Sequence, residues 1–260
     1  MMNVMERFSL RGRCSVVTGG AMGLGKAMAE ALAEAGSDVV IADINLDAAN
    51  LTVDGIRSKG VRAVAVQCDV TRPGDCRMTA QRVVEEFGKI DVLVNNAGIC
   101  AHIRAEDMEF EDWYRIIDVN LNGVFNMSQA VGRAMIRQKR GSIINIASMS
   151  GLIANTPQAQ CAYNASKGGV IMLTKSLASE WVDHNIRVNC IAPGYMKTEL
   201  TRGFFEKGDR AMIARWMDFT PMKRAGMPDE LGGIAVYLAS DASSFATGAV
   251  FTIDGGYTVW

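Results

Sequence analysis

Short apolar runs alternate with amphipathic stretches along most of the chain, and this alternation predicts its secondary structure. Several of the runs are almost continuously apolar, as expected of parallel strands buried on both faces. The stretches between them have apolar residues at helical spacing, for example Leu24, Met28 and Leu32, which predicts helices with one buried face. The predicted strands are residues 14–18, 39–43, 62–67, 90–94, 142–147, 186–191 and 249–253.

The predicted helices lie between these strands. Strands that alternate with helices of this length imply right-handed crossovers and a parallel sheet covered on both sides. No internal repeat or linker divides the chain, so we predict one α/β domain over residues 1–260, a three-layer sandwich around a seven-stranded parallel sheet. The helices are predicted over residues 23–35, 47–59, 73–87 and 162–182, with two long helical stretches between 108 and 138.

One segment, residues 195–229, interrupts the alternation. In an open α/β sheet, ligands bind outside the carboxyl ends of the strands, so a long excursion after the sixth strand is well placed to cover a ligand. We therefore predict a substrate-binding lid; the alternative is a surface helix pair packed on the edge of the sheet. The segment contains Phe204, Phe205, Trp216 and Phe219, and five charged residues from Glu206 to Arg215.

Composition and charge narrow the classes of function. The formal net charge of −1 leaves no basic excess to neutralise phosphates, so no nucleic-acid partner is expected. The first ten residues lack the pattern of a secretory signal, and no run approaches the roughly 20 apolar residues of a membrane span. We expect a cytoplasmic protein that binds a small molecule and no membrane.

The cysteines do not indicate a metal centre. They include no C-x-x-C pair, and with only two histidines in the chain they predict neither a zinc cluster nor a disulfide framework. Most are expected to pack as small core residues, while two are expected near a substrate cleft, Cys100 and Cys161. The six are Cys14, Cys68, Cys76, Cys100, Cys161 and Cys190.

A glycine-rich turn joins the first predicted strand to the first helix. Gly19, Gly23 and Gly25 permit close approach of the backbone to a pyrophosphate, and the helix N-terminus offers unpaired N–H groups. A second turn, residues 95–98, follows the fourth strand with asparagines and small residues that suit a backbone pressed against a cofactor. Together these turns predict a dinucleotide site.

Asp43 ends the second predicted strand, 24 residues after Gly19. A carboxylate at this position can accept hydrogen bonds from the ribose hydroxyls of an adenosine, and it repels a 2′-phosphate. Neither Met22 nor Ile44 offers a basic side chain to such a phosphate. We predict that the cofactor is NAD; the alternative for Asp43 is a helix cap or a turn residue.

Tyr163 and Lys167 are four residues apart on a predicted helix, so they share one face with Cβ atoms roughly 5–6 Å apart. A phenol has a pKa of about 10, and a neighbouring ammonium is expected to lower it. The pair therefore predicts a general acid/base, and Ser148 lies 15 residues upstream of Tyr163.

These motifs, in this order, make the chain resemble the short-chain dehydrogenase/reductase family over essentially its whole length. The resemblance implies a Rossmann-like domain, a nicotinamide cofactor and a homotetramer. The residues that carry it are 18–25, 69–70, 95–98, Asn120, Ser148, Tyr163, Lys167, Pro193, Gly194 and Thr198.

The resemblance also implies catalytic roles. Tyr163 exchanges the proton of the substrate hydroxyl, Lys167 lowers the pKa of the phenol and holds the nicotinamide ribose, and Ser148 holds the substrate oxygen. Asn120 sustains a water-linked proton path from Lys167. The structural alternatives are that Ser148 only completes a strand end and that Asn120 only kinks its helix.

The cofactor residues follow from the same resemblance. Asp69 and Val70 are expected beside the adenine, and Thr198 is expected to bond the carboxamide. The full predicted set is Gly19, Met22, Gly23, Leu24, Gly25, Asp43, Ile44, Asp69, Val70, Asn96, Ala97, Gly98, Tyr163, Lys167, Pro193, Gly194, Met196 and Thr198.

The segment between Ser148 and Tyr163 indicates a subgroup. These residues are 15 apart, two more than is usual in the family, and residues 149–160 resemble members that act on sugar alcohols and ketoses. Hydroxyl-rich substrates need convergent polar groups, which Ser150, Asn155, Gln158 and Gln160 offer; the alternative is that they only solvate a loop. We predict Ser148, Ser150, Asn155 and Tyr163 as substrate-binding residues.

We therefore expect an NAD(H)-dependent oxidoreductase that interconverts a polyol or small sugar derivative and its ketone. The alternatives are a 3-oxoacyl-thioester reductase, a hydroxysteroid dehydrogenase, and a redox-sensing regulator that keeps the fold without the chemistry. From relatives, a magnesium ion near the C-terminus is a further expectation, and Trp260 is expected to be buried between subunits.

Overall fold

The computed structural model describes residues 3–199, 201 and 209–260. Seven parallel strands form one sheet in the order β3-β2-β1-β4-β5-β6-β7, and the predicted Rossmann-like α/β domain is confirmed. The strands are β1 (Cys14–Thr18), β2 (Asp38–Asp43), β3 (Ala63–Gln67), β4 (Val92–Asn95), β5 (Gly141–Ile146), β6 (Ile186–Pro193) and β7 (Val250–Ile253).

Helices cover both faces of the sheet, so side chains of the central strands are buried on either side. Val17 packs on one face with residues from α1, α2 and α8, while Val16 packs on the other face with α3, α5 and α6. The helices are α1 (Gly23–Glu34), α2 (Leu46–Arg57), α3 (Pro73–Phe87), α4 (Phe110–Ile117), α5 (Gly123–Gln138), α6 (Cys161–Trp181), α7 (Arg210–Phe219) and α8 (Gly232–Ala239). No helix among the described residues is both long and apolar enough to cross a membrane.

The stretch predicted as two separate helices, 108–138, is one helical run with an inserted turn. A π-helical turn, Asp118–Asn122, joins α4 directly to α5. Asn120 lies within this turn and is fully buried. Its side chain accepts from the N–H of Ile99 and donates to the carbonyl of Ile99, and such single π-helical turns frequently occur at functional sites.

The strand order reverses direction between β1 and β4, so the chain leaves these neighbouring strands to opposite sides. Such a point opens a crevice at the carboxyl edge of an α/β sheet. The loops after β1, β4, β5 and β6 all meet at this edge. Part of the predicted lid also lies there, while its residues 200 and 202–208, among them Phe204, Phe205 and Glu206, lie outside the described residues.

Candidate active site

The glycine-rich turn is clamped against the loop that follows β4. Gly19 has a φ of +59°, and a Cβ there would lie 2.8 Å from the Cα of Ala97. A Cβ on Gly25 would lie 2.3 Å from the carbonyl oxygen of Gly19, so only glycine permits this approach of helix and turn. Asn96 completes the clamp, because its Nδ2 donates to the carbonyls of Thr18 and Gly19 at 3.1 and 2.9 Å.

The N-terminus of α1 opens into the crevice without a side-chain cap. Its N-cap residue is Met22, whose side chain accepts no hydrogen bond, and its first turn has no acidic residue. The first N–H groups of a helix have no intrahelical partner, and the helix dipole favours an anion there. The turn and the uncapped helix therefore fit the pyrophosphate of a dinucleotide.

Asp43 lies on the crevice wall and also holds the turn. Its Oδ2 accepts from the backbone N–H of Ala21 and its Oδ1 from that of Asn45, each at 3.0 Å. The side chains of Met22 and Ile44 are 50% and 66% exposed at the same rim. Both interpretations of Asp43 are thus compatible: it is a turn residue, and its carboxylate faces the crevice.

The other predicted cofactor residues lie at opposite ends of the crevice. Asp69 accepts from the N–H and hydroxyl of Thr71 at 3.0 and 2.7 Å, which orders the loop after β3. Thr198 exchanges hydrogen bonds with Thr201, whose Oγ1 receives its N–H at 2.8 Å. These polar contacts shape the two ends without filling the space between them.

The crevice has a volume of about 600 Å³ and brings together residues far apart in sequence. Most of the predicted site residues line it, whereas Gly25, Asn120 and Asn155 lie behind its wall, and Cys161 is exposed at the start of α6. The predicted residues on the wall are Gly19, Met22, Gly23, Leu24, Asp43, Ile44, Asp69, Val70, Asn96, Ala97, Gly98, Ser148, Ser150, Tyr163, Lys167, Pro193, Gly194, Met196 and Thr198.

Tyr163 and Ser148 form the centre of the cleft. The Tyr163 side chain makes a hydrogen bond with Ser148, and the Ser148 Oγ accepts from the N–H of Ser150 at 3.1 Å. Burial raises the pKa of Tyr163 to about 12; the nearby Cys100 adds to the rise, and the Ser148 hydrogen bond opposes it. Tyr163 is therefore a protonated phenol at neutral pH.

Lys167 is almost fully buried below Tyr163. Its Nζ donates to the carbonyl of Ile146 at 2.7 Å and lies 5.7 Å from the centroid of the Tyr163 ring. Burial lowers the pKa of Lys167 to about 8. The expected lowering of the phenol pKa by Lys167 is not seen in this structure, because burial dominates at both residues.

Asn120 lies directly behind this pair. Its Oδ1 accepts from the N–H of Ile99 at 2.8 Å, and its Nδ2 donates to Ser166 Oγ at 3.1 Å. A Cβ placed on Gly98 would lie 3.3 Å from Asn120 Oδ1 and 3.6 Å from Lys167 Nζ. Asn120 and Lys167 thus approach each other across Gly98, although no direct bond joins them.

The substrate end contains a side-chain network that crosses from the 149–160 segment to α7. Gln158 donates from Nε2 to the hydroxyl of Tyr195 at 2.8 Å and accepts from Trp216 Nε1 at 2.9 Å. The rings of Tyr195 and Trp216 stack with centroids 4.2 Å apart. Gln158 is thus fixed at both ends, and the three residues form one wall of the cleft.

A second network adjoins the first, because Asn155 Nδ2 donates to the Tyr195 hydroxyl at 3.4 Å. Gln160 Nε2 lies within hydrogen-bond distance of Ser150 Oγ, Asn155 Oδ1 and Asn164 Oδ1, at 3.1, 3.1 and 2.8 Å. The Gln160 side chain also makes a hydrogen bond with His102, which lines the cleft. Asn155 therefore supports the wall from behind.

His102 was not predicted as a site residue, and Tyr195 and Trp216 were predicted only as part of the substrate-binding lid. Tyr195 directly follows the predicted pair Pro193–Gly194, and Trp216 lies in the predicted lid, so proximity to motifs could have indicated both. His102 lies seven residues beyond β4. No spacing rule relates it to Gln160, and only the folded structure brings the two together.

Fold and cleft together define an α/β enzyme that binds a dinucleotide at the carboxyl edge of its sheet. A family model described as enoyl-(acyl carrier protein) reductase matches residues 19–258. The chain is 43% identical to a galactitol 2-dehydrogenase of Rhizobium johnstonii, over 100% of both sequences.

Solved structures agree with this relationship. A short-chain dehydrogenase/reductase from Mycobacterium marinum is 43% identical, with a TM-score of 0.94 over 98% of this chain and 99% of that chain. A gluconate 5-dehydrogenase from Burkholderia cenocepacia, solved with NADP and tartrate, is 39% identical, with a TM-score of 0.93 over 99% and 100%. The chain belongs to the short-chain dehydrogenase/reductase family. It is an oxidoreductase that acts on alcohol groups with a nicotinamide cofactor.

Proposed function

We propose that this protein oxidises a secondary hydroxyl of a polyol or small sugar derivative to the ketone, or reduces the corresponding ketose, with NAD(H). The observation that carries the proposal is the polar wall beside Tyr163, built from Ser150, Gln158 and Gln160. Convergent polar groups suit a substrate with several hydroxyls, since a buried polar group left unpaired costs about 1–3 kcal/mol. The similarity to a galactitol 2-dehydrogenase supports the same substrate class.

Tyr163 is the proton-transfer group in this proposal. The Ser148 Oγ holds the substrate oxygen and stabilises the charge that develops there, while the Tyr163 oxygen takes the hydroxyl proton. A nicotinamide held beside Tyr163 and Lys167 would supply the hydride acceptor for the carbinol carbon. In the reverse direction Tyr163 donates its proton to the carbonyl oxygen, a role that suits a phenol with a pKa raised to about 12.

Lys167 and Asn120 support the proton transfer at Tyr163 from the side away from the substrate. Lys167 would hold the nicotinamide ribose, and its ammonium stabilises the phenolate once Tyr163 has lost its proton. Asn120 approaches Lys167 across Gly98, which suits a water-linked path between the two side chains. We assign Asn120 to positioning, because it touches neither the cleft nor the reacting atoms.

The charges at the adenosine end support NAD. Asp43 faces the space where the adenosine ribose would lie, and Lys167 is the only lysine or arginine on the described wall of the cleft. A 2′-phosphate would therefore meet a carboxylate and find no cation. The Burkholderia relative was solved with NADP, so the proposal of NAD for this chain rests on Asp43 and is tested by comparing the two cofactors.

The alternatives make different demands on the cleft. A thioester reductase needs a basic entrance for its carrier, which the described cleft residues do not provide. A steroid dehydrogenase needs an apolar face, and the stacked Tyr195 and Trp216 are the residues that favour it. A sensor without chemistry would have no use for Ser148, Tyr163 and Lys167 placed together.

One panel of substrates tests the proposal. With NAD⁺ present, C4–C6 polyols, aliphatic diols and a hydroxysteroid are compared by the absorbance of the reduced cofactor. We expect the highest kcat/KM with a polyol. Oxidation of the steroid with no activity on any polyol contradicts the proposal, and a folded protein that binds the cofactor but reduces neither NAD⁺ nor NADP⁺ with any alcohol supports the sensor.

Several wider properties remain proposals. We propose a cytoplasmic homotetramer with residues 195–229 as its lid; Tyr195 and Trp216, from this segment, already line the cleft. Trp260 is 79% exposed in the single chain, which agrees with burial against another subunit. No group of three or more acidic, histidine or cysteine residues suited to a metal occurs in the described part, so the expected magnesium finds no support there.

A further inference from the structure

His102 extends into the cleft from the loop that follows β4. His102 is an exposed residue that lines the same cleft as Tyr163 and Ser148. The neighbouring residue Ile103 forms a parallel β-bridge with Gln160, which ties this loop to the segment beside the catalytic serine. His102 is therefore held at a defined place on the substrate wall, although the mechanism does not use it.

Gln160 orients the His102 imidazole. The two side chains are hydrogen-bonded, and the amide nitrogen of Gln160 is itself engaged by Ser150 and Asn164. Partial burial lowers the pKa of His102, and the hydrogen bond with Gln160 opposes this effect. At neutral pH the ring is uncharged, so one nitrogen donates a hydrogen bond and the other accepts one.

Around Tyr163 and Ser148, the described cleft residues offer no positively charged side chain that is available to a substrate anion. Lys167 is the one lysine or arginine there, and its Nζ donates to the carbonyl of Ile146 from a nearly buried position. The Cys100 thiol is neutral because burial raises its pKa to about 11. Among these described residues, a substrate carboxylate would find no cation to compensate for its lost hydration. Asp43 and Asp69, at the cofactor end, add only negative charge.

We propose that His102, oriented by Gln160, is a specificity-determining residue that binds a substrate hydroxyl away from the reacting carbon and selects uncharged polyols over aldonates of the same length. This inference rests on the proposed polyol function. The competing view is that His102 only stabilises the loop after β4 and has no part in substrate choice.

Matched pairs of substrates separate these views. Galactitol and sorbitol are compared with galactonate and gluconate, which carry a carboxylate in place of a terminal alcohol, in steady-state assays with NAD⁺. The variants are His102→Arg, which supplies a permanent cation, and His102→Gln, which keeps a neutral donor and acceptor. The control is His184→Arg, because His184 is the other histidine of the chain and follows the far end of α6.

We expect the wild type to favour the better hexitol over its aldonate by about tenfold or more in kcat/KM, as the loss of one ionic or hydrogen-bonded contact implies. His102→Arg should reverse that order mainly through KM. His102→Gln should keep the preference for the uncharged hexitol. His184→Arg should leave the ratio of kcat/KM for hexitol over aldonate unchanged. The thermal unfolding midpoint of each variant shows whether it is folded. The shift of that midpoint when galactonate is added, in the absence of turnover, shows whether the variant binds the anion.

The outcomes are distinguishable. One outcome is that the wild type oxidises hexitols and that His102→Arg has the same ratio of kcat/KM for hexitol over aldonate as the wild type. His102 then has no role in substrate selection, and this inference fails while the proposed function stands. Equal use of hexitol and aldonate by the wild type also overturns this inference. If the folded wild type oxidises no polyol or aldonate but acts on another alcohol, the proposed function fails and this inference fails with it.

Discussion

The two ends of the cleft are built in different ways. The cofactor end depends on backbone: glycine turns, an uncapped helix terminus and Asp43, which bonds the N–H groups of Ala21 and Asn45. The substrate end depends on side chains from distant segments, in which Gln158 bridges Tyr195 and Trp216. Tyr163 and Lys167 lie between the two ends, where Tyr163 would exchange a proton with the substrate and Lys167 would hold the nicotinamide ribose.

This difference has a functional consequence. A backbone cradle recognises what all dinucleotides share, the pyrophosphate, and needs only one carboxylate to discriminate between them. A network of side chains can be altered one residue at a time without disturbing the cofactor. We therefore expect cofactor binding and substrate choice to respond separately to mutation, except at the catalytic pair.

The largest effect is expected from Tyr163→Phe. Only the proton-transferring oxygen is lost, and general acid/base catalysis contributes about 10²–10⁴-fold, so kcat should fall by that factor. The affinity for NADH, followed by the fluorescence of the bound cofactor, should stay nearly constant.

Tyr114→Phe is the matched control, because Tyr114 is 60% exposed on α4 and lies outside the cleft. Lys167→Ala gives the contrast, since it should weaken both turnover and cofactor affinity. A Tyr163→Phe enzyme that keeps more than about a tenth of wild-type kcat is inconsistent with the general acid/base role.

The next largest effect concerns the choice of cofactor. We expect kcat/KM for NAD⁺ to exceed that for NADP⁺ by about 100-fold, because a carboxylate that faces a phosphate without a cation costs several kcal/mol. Asp43→Asn removes the charge but keeps an oxygen for the Ala21 N–H, so it should narrow the gap. Asp47→Ala, at an exposed position of α2, should leave it unchanged. Similar kcat/KM values for the two cofactors in the wild type would show that Asp43 does not discriminate.

The raised pKa of Tyr163 predicts that the rates of alcohol oxidation and ketone reduction depend differently on pH. Below the pKa of about 12 the phenol is protonated, and the phenolate fraction needed for oxidation rises about tenfold per pH unit. Oxidation should therefore accelerate from pH 7 towards pH 9, while reduction keeps its acid over that range. Initial rates in both directions provide the check. An oxidation rate independent of pH over this range is the contrary result.

The smallest effect is expected at Trp216. Trp216→Phe keeps the ring that stacks on Tyr195 but leaves the Gln158 Oε1 without its donor. An unpaired buried acceptor costs about 1–3 kcal/mol, so KM for the polyol should rise several-fold with little change in kcat or NADH affinity. Trp113→Phe on α4 is the control, and a parallel loss of NADH affinity would argue against a separate substrate network.

The fold and the cofactor end could be predicted because their signals are local. Apolar runs such as Val39–Asp43 predicted the strands, and an acid at a strand end with a glycine turn predicted the crevice. Tyr163 and Lys167 are neighbours on one helix, so their proximity followed from helical spacing. What spacing could not provide was their environment, and burial raised the Tyr163 pKa where a neighbouring ammonium had been expected to lower it.

The substrate end was only partly predictable because its contacts are non-local. The polar character of residues 149–160 was apparent from the sequence, but not that Gln158 would be fixed by Tyr195 and Trp216. The pairing of Gln160 with His102 depends on a bridge between loops 57 residues apart, Ile103 and Gln160. Similarly, Asn120 lies in a π-helical turn and bonds to Ile99, and helical periodicity reveals neither feature.

Analysis of the product tests the central claim most directly. The wild-type enzyme is incubated with NAD⁺ and the preferred hexitol, and the product is identified by NMR while the reduced cofactor is counted by absorbance. A ketose formed with one NADH per molecule is the predicted result. An aldose, which shows attack on a primary hydroxyl, or a ketone formed only from a steroid would contradict it.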